Sequence, residues 1–195
     1  MIRAFGISGA GNNYLPLVEP RKQIGLHFHH EAEEDISRGS GASSPVSTKI
    51  QSLVIKLGDD NSNVRKQSVD ILVKIAKETP EEIVQRLREA LKDPDERVRV
   101  NASYLLAKIS EVSAGELIPA IPELREALKD PNEKVRGNAL IVLGSISKVS
   151  PDELILAVPE LRGALKDPDK RVRVNAAFVI LLLSRGLSQN KLYKE

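Results

Sequence analysis

The apolar residues of this chain recur at helical spacing over most of its length. One segment places them three and four residues apart, which forms a single apolar stripe on an amphipathic helix. That stripe comprises Val98, Ala102, Leu105, Leu106 and Ile109. The segment before it carries a similar stripe of Ile83, Leu87 and Leu91. The Asp93-Pro94 pair between the two stops the first helix and turns the chain, so the pattern predicts helix, turn and helix.

This pattern repeats with a fixed period. The sequence ALKDP begins at Ala90, Ala127 and Ala164, so successive copies are 37 residues apart. A fainter copy, KLGDDNSNVRKQSVDILVKIA, begins at Lys56. A period of this length is typical of solenoids, in which stacked repeats share one continuous core. We predict four two-helix repeats, over about residues 48–78, 79–112, 113–149 and 150–186.

Local signals mark the start and the shape of the first helix in each repeat. A Ser or Thr followed three residues later by Glu predicts capping boxes. These occur at Thr79, Ser113 and Ser150. A proline inside a helix removes an amide donor and clashes with the preceding turn, so the first helices of the third and fourth repeats should be kinked or split. The prolines concerned are Pro119, Pro122 and Pro159.

The repeat motif resembles the HEAT family. The resemblance rests on an Asp-Pro turn followed by V-R-x-x-A-x-x-L-L-x-x-I, it covers about residues 48–186, and it is closest to the short prokaryotic form also seen in phycobilisome lyase-like repeats. It implies an all-α fold, a right-handed alpha-alpha superhelix or HEAT/armadillo-like solenoid of about four two-helix repeats. It also implies that the second helices line a concave side, and that the protein is a binding scaffold.

Composition narrows the class of protein further. The 29 basic and 27 acidic residues leave a net charge of only +2, so we do not expect a nucleic-acid partner. The absence of cysteine excludes disulfides and thiolate metal sites. No apolar run reaches the length of a membrane span, since the longest is residues 176–183. We expect a cytoplasmic protein that does not bind membranes, with a charge-rich composition that resembles heat-adapted proteins.

Residues 1–47 do not share the repeat. They hold six of the 12 glycines and all three histidines, and residues 39–48, GSGASSPVST, have the composition of a linker. We expect an irregular or flexible N-terminal extension here and a short C-terminal tail over residues 187–195. The extension also carries the one candidate metal site, His27, His29, His30 and Glu31. Their spacing matches no established metal motif, so we predict no metal, no cofactor and no catalytic residue.

Charged and amide residues recur once per repeat. The Asp-Arg pairs are Asp59 with Arg65, Asp93 with Arg99, Asp130 with Arg136 and Asp167 with Arg173. The resemblance implies that these residues bond within and between repeats. Asn101, Asn138 and Asn175 also share one position, and we predict a hydrogen-bonded ladder between neighbouring second helices. The alternative is that they hold the backbone of an extended peptide, as a recurrent asparagine does in armadillo repeats.

The side of the second helices opposite the core stripe is apolar, where a solvated face would be polar. Tyr104, Ile141 and Phe178 occupy the same position in successive repeats, and Leu140 and Leu181 lie beside them. A basic row without matched acids flanks this surface and comprises Arg97, Lys134 and Arg171. We predict a concave groove for another protein or peptide, amphipathic and acidic. The alternative is that neighbouring repeats cover these residues.

The final helix is apolar nearly all round, with the sequence AAFVILLL over residues 176–183. A terminal repeat normally turns a polar face to water, so we expect a cover for this helix. That cover is the tail over residues 187–195, another chain in a homo-oligomer, or the next repeat of a longer array. Together these features predict a non-catalytic scaffold or adaptor that binds a protein segment or its own copy. The alternatives are a metal-dependent HEAT-repeat enzyme of the hydroxylase or bilin lyase type, and a nucleic-acid-binding HEAT protein.

Overall fold

A computed structural model describes residues 44–192, with side chains described up to residue 189. This part of the chain contains eight α-helices and no β-strand. The helices are α1 (Pro45–Ile55), α2 (Ser62–Ile75), α3 (Pro80–Ala90), α4 (Glu96–Ser110), α5 (Ile121–Ala127), α6 (Glu133–Val149), α7 (Val158–Ala164) and α8 (Lys170–Leu192). The candidate metal ligands His27, His29, His30 and Glu31 lie outside the described residues.

The helices pair as the repeat pattern predicts. Each repeat packs a first helix, or a split first helix, against a second helix: α1 with α2, α3 with α4, α5 with α6 and α7 with α8. The second helices also stack on one another, α2 on α4, α4 on α6 and α6 on α8. The result is an all-α superhelix of four two-helix repeats, which confirms the predicted fold class.

One apolar core runs through all four repeats. It is filled by the predicted stripe residues, and Leu87, Ala102, Leu105 and Leu106 are fully buried. Burying a leucine side chain stabilises a fold by roughly 1.5–3 kcal/mol. Because each repeat buries its stripe only against its neighbours, this energy is available to the stack and not to a single repeat.

Prolines split the first helices of the third and fourth repeats, as predicted. Residues Ala114–Ala120 form a 3₁₀ segment that contains Pro119, and α5 begins directly after it with Pro122 in its first turn. The fourth repeat repeats this arrangement, with a 3₁₀ segment over Pro151–Ala157 and Pro159 in the first turn of α7. A proline in the first turn of a helix costs little, because its missing amide would have no helical partner there.

The predicted capping boxes are wrong. Thr79, Ser113 and Ser150 make no side-chain bond to the helices that follow them. A capping box needs the backbone N–H of the capping residue to bond the Glu side chain. In all three cases that N–H instead donates to the last turn of the preceding helix, at 2.8–2.9 Å from the carbonyl oxygens of Ile75, Ile109 and Ile146.

Side-chain caps occur at the second helices instead. Oδ1 of Asp95 accepts the N–H of Arg97 at 2.8 Å, and Oδ1 of Asn132 accepts that of Lys134 at the same distance. Asn61 and Asp169 cap α2 and α8 in the same way. These four residues end the interhelical turns, so each turn fixes the start of the helix that carries the candidate groove.

Both ends of the array differ from the predicted boundaries. Helix α1 begins at Pro45, inside the segment predicted as a linker, and Oγ of Ser44 caps it by accepting the N–H of Ser47 at 3.1 Å. Helix α8 continues without a break through the predicted tail to Leu192. Within residues 44–192 no helix has the length and apolar character that a membrane span requires.

Candidate partner-binding groove

The arginine that recurs in each repeat forms hydrogen bonds to the turn between the two helices of its own repeat. In the second repeat Nη1 of Arg99 donates to the carbonyl oxygens of Asp93 and Pro94, at 2.9 and 3.1 Å. Arg65, Arg136 and Arg173 bond their own turns in the same way. Each guanidinium therefore satisfies carbonyl groups that the turn leaves without a helical partner.

Two of these arginines also reach the next repeat. Nε of Arg99 lies 2.7 Å from Oδ2 of Asp130, and Nε of Arg136 lies 2.6 Å from Oδ2 of Asp167. The hydrogen bond from Arg136 is the main reason why the pKa of Asp167 lies below its usual value. Both pairs are nearly buried, so these arginines serve the stack and are not free to bind a phosphate.

A second set of ion pairs joins the first helices on the outer side. Glu123, which is almost buried, accepts hydrogen bonds from Nε of Arg88 at 3.0 Å and from Nζ of Lys92 at 3.1 Å. Burial raises the pKa of Glu123, but these two donors outweigh it and the net pKa is lowered. Nη2 of Arg125 bonds Glu160 at 2.7 Å in the equivalent place one repeat later.

The basic row is not uniformly free of acids, which corrects the sequence interpretation. Nη1 of Arg97 lies 2.5 Å from Oδ1 of Asp60, and its Nη2 lies 3.2 Å from Oδ2 of Asp95. These bonds hold the pKa of Arg97 above its usual value. Lys134 and Arg171, by contrast, form no ion pair with any described residue. The unpaired positive charge of this row therefore lies on Lys134 and Arg171.

Three successive second helices form an open groove of about 480 Å³. We call this surface the inner groove. Its apolar part consists of Val100, Tyr104 and Ile141, and Tyr104 and Ile141 are 43% and 44% exposed. Its polar lining comprises Asn101, Glu133, Lys134, Asn138, Asp169, Arg171 and Asn175. Phe178 and Leu181 are also exposed on α8, but they do not line this groove.

Leu140, which the sequence placed on the binding surface, is fully buried. Its position faces the next repeat, as the neighbouring turn of α6 shows: a Cβ on Gly144 would lie 3.4 Å from Cγ2 of Val179 in α8. Ser103 and Ala107 occupy the same two positions in α4 and are buried as well. Here the alternative interpretation is correct, and the apolar side chain serves packing between repeats.

The recurrent asparagines differ in their partners. Nδ2 of Asn101 donates to the carbonyl oxygens of Leu57 and Arg97, both at 2.9 Å. Nδ2 of Asn138 donates to Oγ of Ser103 at 3.0 Å and so joins α6 to α4. Asn175 forms no hydrogen bond to another described side chain or carbonyl. Only Asn138 thus links two second helices directly, and the amide groups become progressively less occupied toward α8.

The groove combines three kinds of recognition in one surface. Tyr104 and Ile141 offer apolar contact area, the carboxamides of Asn138 and Asn175 can donate and accept hydrogen bonds, and Lys134 with Arg171 supplies charge. Within residues 44–192 no three His, Asp or Glu side chains group closely enough to hold a metal ion. The groove thus places apolar, hydrogen-bonding and charged groups side by side.

Comparisons with known proteins agree with this architecture. Residues 76–161 match the family described as non-SMC mitotic condensation complex subunit 1. No curated protein matches the chain in sequence. The matched segment runs from just before α3 into α7, so the family likeness concerns the central repeats.

Solved structures with a similar fold include engineered proteins and designed armadillo repeat proteins. An engineered protein superposes with a TM-score of 0.56 at 22% identity, over 70% of this chain and 63% of its own. A designed armadillo repeat protein in complex with the peptide (KR)4 gives 0.54 at 22% identity, over 70% of this chain and 69% of its own. A second designed armadillo repeat protein gives 0.54 at 26% identity, over 69% and 64%. The fold is therefore a HEAT/armadillo-like solenoid.

Proposed function

We propose that this protein is a non-catalytic interaction scaffold that binds an extended segment of another protein along the inner groove. One observation carries the proposal: exposed Tyr104 and Ile141 lie on the same surface as the amides of Asn138 and Asn175. An exposed apolar patch with a polar rim is typical of an interaction site. A designed armadillo repeat protein with a similar fold is known in complex with a peptide.

The asparagines would hold the backbone of the bound segment. A carboxamide donates and accepts at once, so it can pair with both groups of a peptide unit. Only Nδ2 of Asn138 bonds Ser103, so its side-chain oxygen is available to accept a bond from the segment. Both the oxygen and the nitrogen of the Asn175 side chain are available. Packed helices lie about 8–10 Å apart. An extended segment, which rises about 3.3 Å per residue, therefore passes roughly three residues per repeat.

Glu133 and Asp169 balance Lys134 and Arg171 along the groove, so the basic pair favours an acidic residue at one position of the segment and not an acidic segment throughout. Lys134 and Arg171 line the groove without an ion pair among the described residues. Asp169 lies beside them, but its Oδ1 already accepts the N–H groups of Arg171 and Val172 at 2.8 and 3.1 Å. A carboxylate on the segment would meet these two cations, which speeds encounter and fixes the register of the bound segment.

The exposed apolar end of α8 supports a second contact, with another copy of the chain. Val174, Phe178 and Leu181 are each about half exposed on consecutive turns of this helix. Side chains of this size on one helix face are a common basis of homo-oligomer interfaces, whose centres are apolar. None of these three residues lines the inner groove, although Phe178 occupies in the last repeat the position that Ile141 has in the third.

The groove proposal can be tested by selecting a displayed peptide library against the full chain. Peptides selected on the wild type should bind the double variant Ile141→Asp with Asn175→Ala at least about tenfold more weakly, because a carboxylate in a desolvated groove is costly and one backbone clamp is lost. Val112→Asp is the matched control, since Val112 is an exposed apolar residue outside the groove. Selected peptides that bind the double variant and the control equally would overturn the proposal.

A further inference from the structure

Successive repeats pack on one another through two complementary surfaces. At the two ends of the described array one surface of each kind is exposed. At each contact between two repeats, the earlier repeat supplies one surface and the later repeat supplies the other. Gly144 lies on the surface of the earlier repeat, and a Cβ added to it would lie 3.4 Å from Cγ2 of Val179 in the later one. In the last repeat the residue equivalent to Gly144 is Leu181, 37 residues later, and it is 46% exposed. The C-terminal end thus presents the earlier-repeat half with nothing packed on it among the described residues.

Two further positions at this end show the same change. Leu128 is buried, whereas its equivalent Leu165 is exposed. Leu140 is buried, whereas its equivalent Ala177 is exposed. Leu165 has the same residue type as Leu128, so its exposure arises from its place in the stack. Ala177 differs in type from Leu140 but is exposed at the same end of the array.

The N-terminal end presents the other half. The position of Val179 is occupied by Val142, Leu105 and Ile71 in the earlier repeats. Val142, Leu105 and Val179 are at most 1% exposed, but Ile71 is 36% exposed. Ile71 is therefore the counterpart that Leu181 lacks, since their equivalents meet between α6 and α8.

The charges at the two ends are also complementary. Arg173 bonds its own turn but forms no ion pair with a described residue, whereas Arg99 and Arg136 each bond the aspartate of the next repeat. Arg65 in the first repeat also bonds only its own turn. Asp59 occupies that aspartate position in the first repeat, and its carboxylate likewise forms no ion pair with a described residue. Its Oδ1 accepts only the N–H of Asn61, at 2.8 Å.

From this complementarity we infer that two copies of the chain stack head to tail, with the C-terminal end of one on the N-terminal end of the other. Leu181 of one copy packs on Ile71 of the second, and Arg173 pairs with the second copy's Asp59. The inference rests on the self-association proposed above and specifies its surface. Two C-terminal ends brought together would instead oppose Arg173 to Arg173 and leave Ile71 uncovered. A head-to-tail dimer keeps one free end of each kind, so assemblies longer than a dimer, open or closed into a ring, should form as concentration rises.

Sedimentation velocity on the full chain tests the arrangement. The wild type should form species larger than a dimer with increasing concentration. Leu181→Asp disables the C-terminal end and Ile71→Asp disables the N-terminal end, because each buries a carboxylate in an apolar contact. Each variant alone should associate at least about tenfold more weakly than the wild type. A mixture of the two should form a dimer and nothing larger, since one intact end of each kind remains.

Several outcomes decide against the inference. If Ile71→Asp alone still forms a dimer, the contact joins two C-terminal ends, and self-association stands while the head-to-tail arrangement fails. If the wild type stays monomeric at every concentration, both fail. Urea denaturation and Val112→Asp control for lost folding and for added charge. Should Ile71→Asp unfold, Ile71→Thr keeps the branched shape with a weaker apolar contact, and the mixing experiment is repeated with it.

Discussion

Arg136 and Asp167 form a two-point ion pair across the third and fourth repeats: Nε and Nη2 of the arginine lie 2.6 and 2.9 Å from the two carboxylate oxygens. The remaining terminal nitrogen of Arg136 bonds the carbonyl oxygens of Asp130 and Pro131. One side chain thus fixes its own turn and the next turn at once. This bond pattern sets the spacing between successive repeats, and therefore the geometry of the groove on their second helices.

Asp167→Asn should destabilise the protein at neutral pH. The substitution removes a charged hydrogen-bonding partner from a nearly buried arginine, and such bonds contribute about 1.5–3 kcal/mol. Urea denaturation at pH 7 measures the loss in the free energy of unfolding. Asp70→Asn is the control, since Asp70 is exposed on α2, and it should leave the midpoint unchanged.

The same variant should have a flatter dependence of stability on acid. The folded-state pKa of Asp167 is lowered, chiefly by the hydrogen bond from Arg136. Its contribution is therefore complete above the unfolded-state pKa of an aspartate, about 3.9, and is lost as the pH falls through the lower folded-state value. Unfolding free energies between pH 5 and pH 2 should converge for the wild type and the variant, in roughly that window. Curves that stay parallel would show that the pair does not stabilise the fold.

Two helical glycines should respond in opposite directions to alanine. A Cβ on Gly186 would lie 2.9 Å from Cβ of Pro151, whereas a Cβ on Gly163 meets nothing within 4 Å. Gly163→Ala should stabilise the protein by about 0.5–1 kcal/mol, because alanine restricts the unfolded backbone. Gly186→Ala should destabilise it by about 1–3 kcal/mol, because the packed helix must shift. Thermal unfolding of the two variants gives the comparison, and equal shifts in one direction would contradict it.

A chain that begins at Ser44 should fold without the preceding residues. It keeps the N-cap of α1 and every described helix. A chain that begins at Thr48 loses that cap and the first turn of α1, and it should be less stable by about 1 kcal/mol for the cap alone. Circular dichroism and urea denaturation of both chains against the full protein provide the measurement. An unfolded chain from Ser44 would show that residues 1–43 are part of the fold.

The purified protein should hold no stoichiometric metal. His27, His29, His30 and Glu31 match no established ligand spacing, so replacing the three histidines by alanine should leave the unfolding midpoint unchanged. Elemental analysis by mass spectrometry checks the first statement and thermal unfolding the second. One equivalent of zinc, or two of iron, would favour the metal-dependent alternative.

The repeat, the helices and the split first helices follow from the sequence because they depend on local information. Apolar spacing selects helix, and Pro122 or Pro159 limits where a helix can begin, whatever the rest of the chain does. The capping boxes were predicted but do not form, because the preceding helix competes for the same backbone N–H. That competition is visible only when the length of the preceding helix is known.

The binding surface could be predicted only in part. Leu140 and Ile141 are neighbours on one helix, and periodicity alone does not say which of them the next repeat covers. A signal was present in the small residues Ala107 and Gly144, since small side chains at equivalent positions allow helices to approach closely. The partner of Arg97 was missed as well, because Asp60 lies 37 residues before it while the first and second repeats are offset by 34 residues, so the two do not occupy equivalent positions.

The ion pairs between repeats are unequally distributed, and this affects the order in which the repeats unfold. The second and third repeats are joined by Arg99 with Asp130 and by Arg88 with Glu123, and the third and fourth by their equivalents. Between the first two repeats the described residues form one ion pair, the exposed Arg97 with Asp60, and the hydrogen bond from Asn101 to the carbonyl oxygen of Leu57. In a linear array each interface contributes separately, so unfolding should start at the first repeat and spread inward. Amide protons of α1 and α2 should then exchange with solvent before those of α6, which is held on both sides.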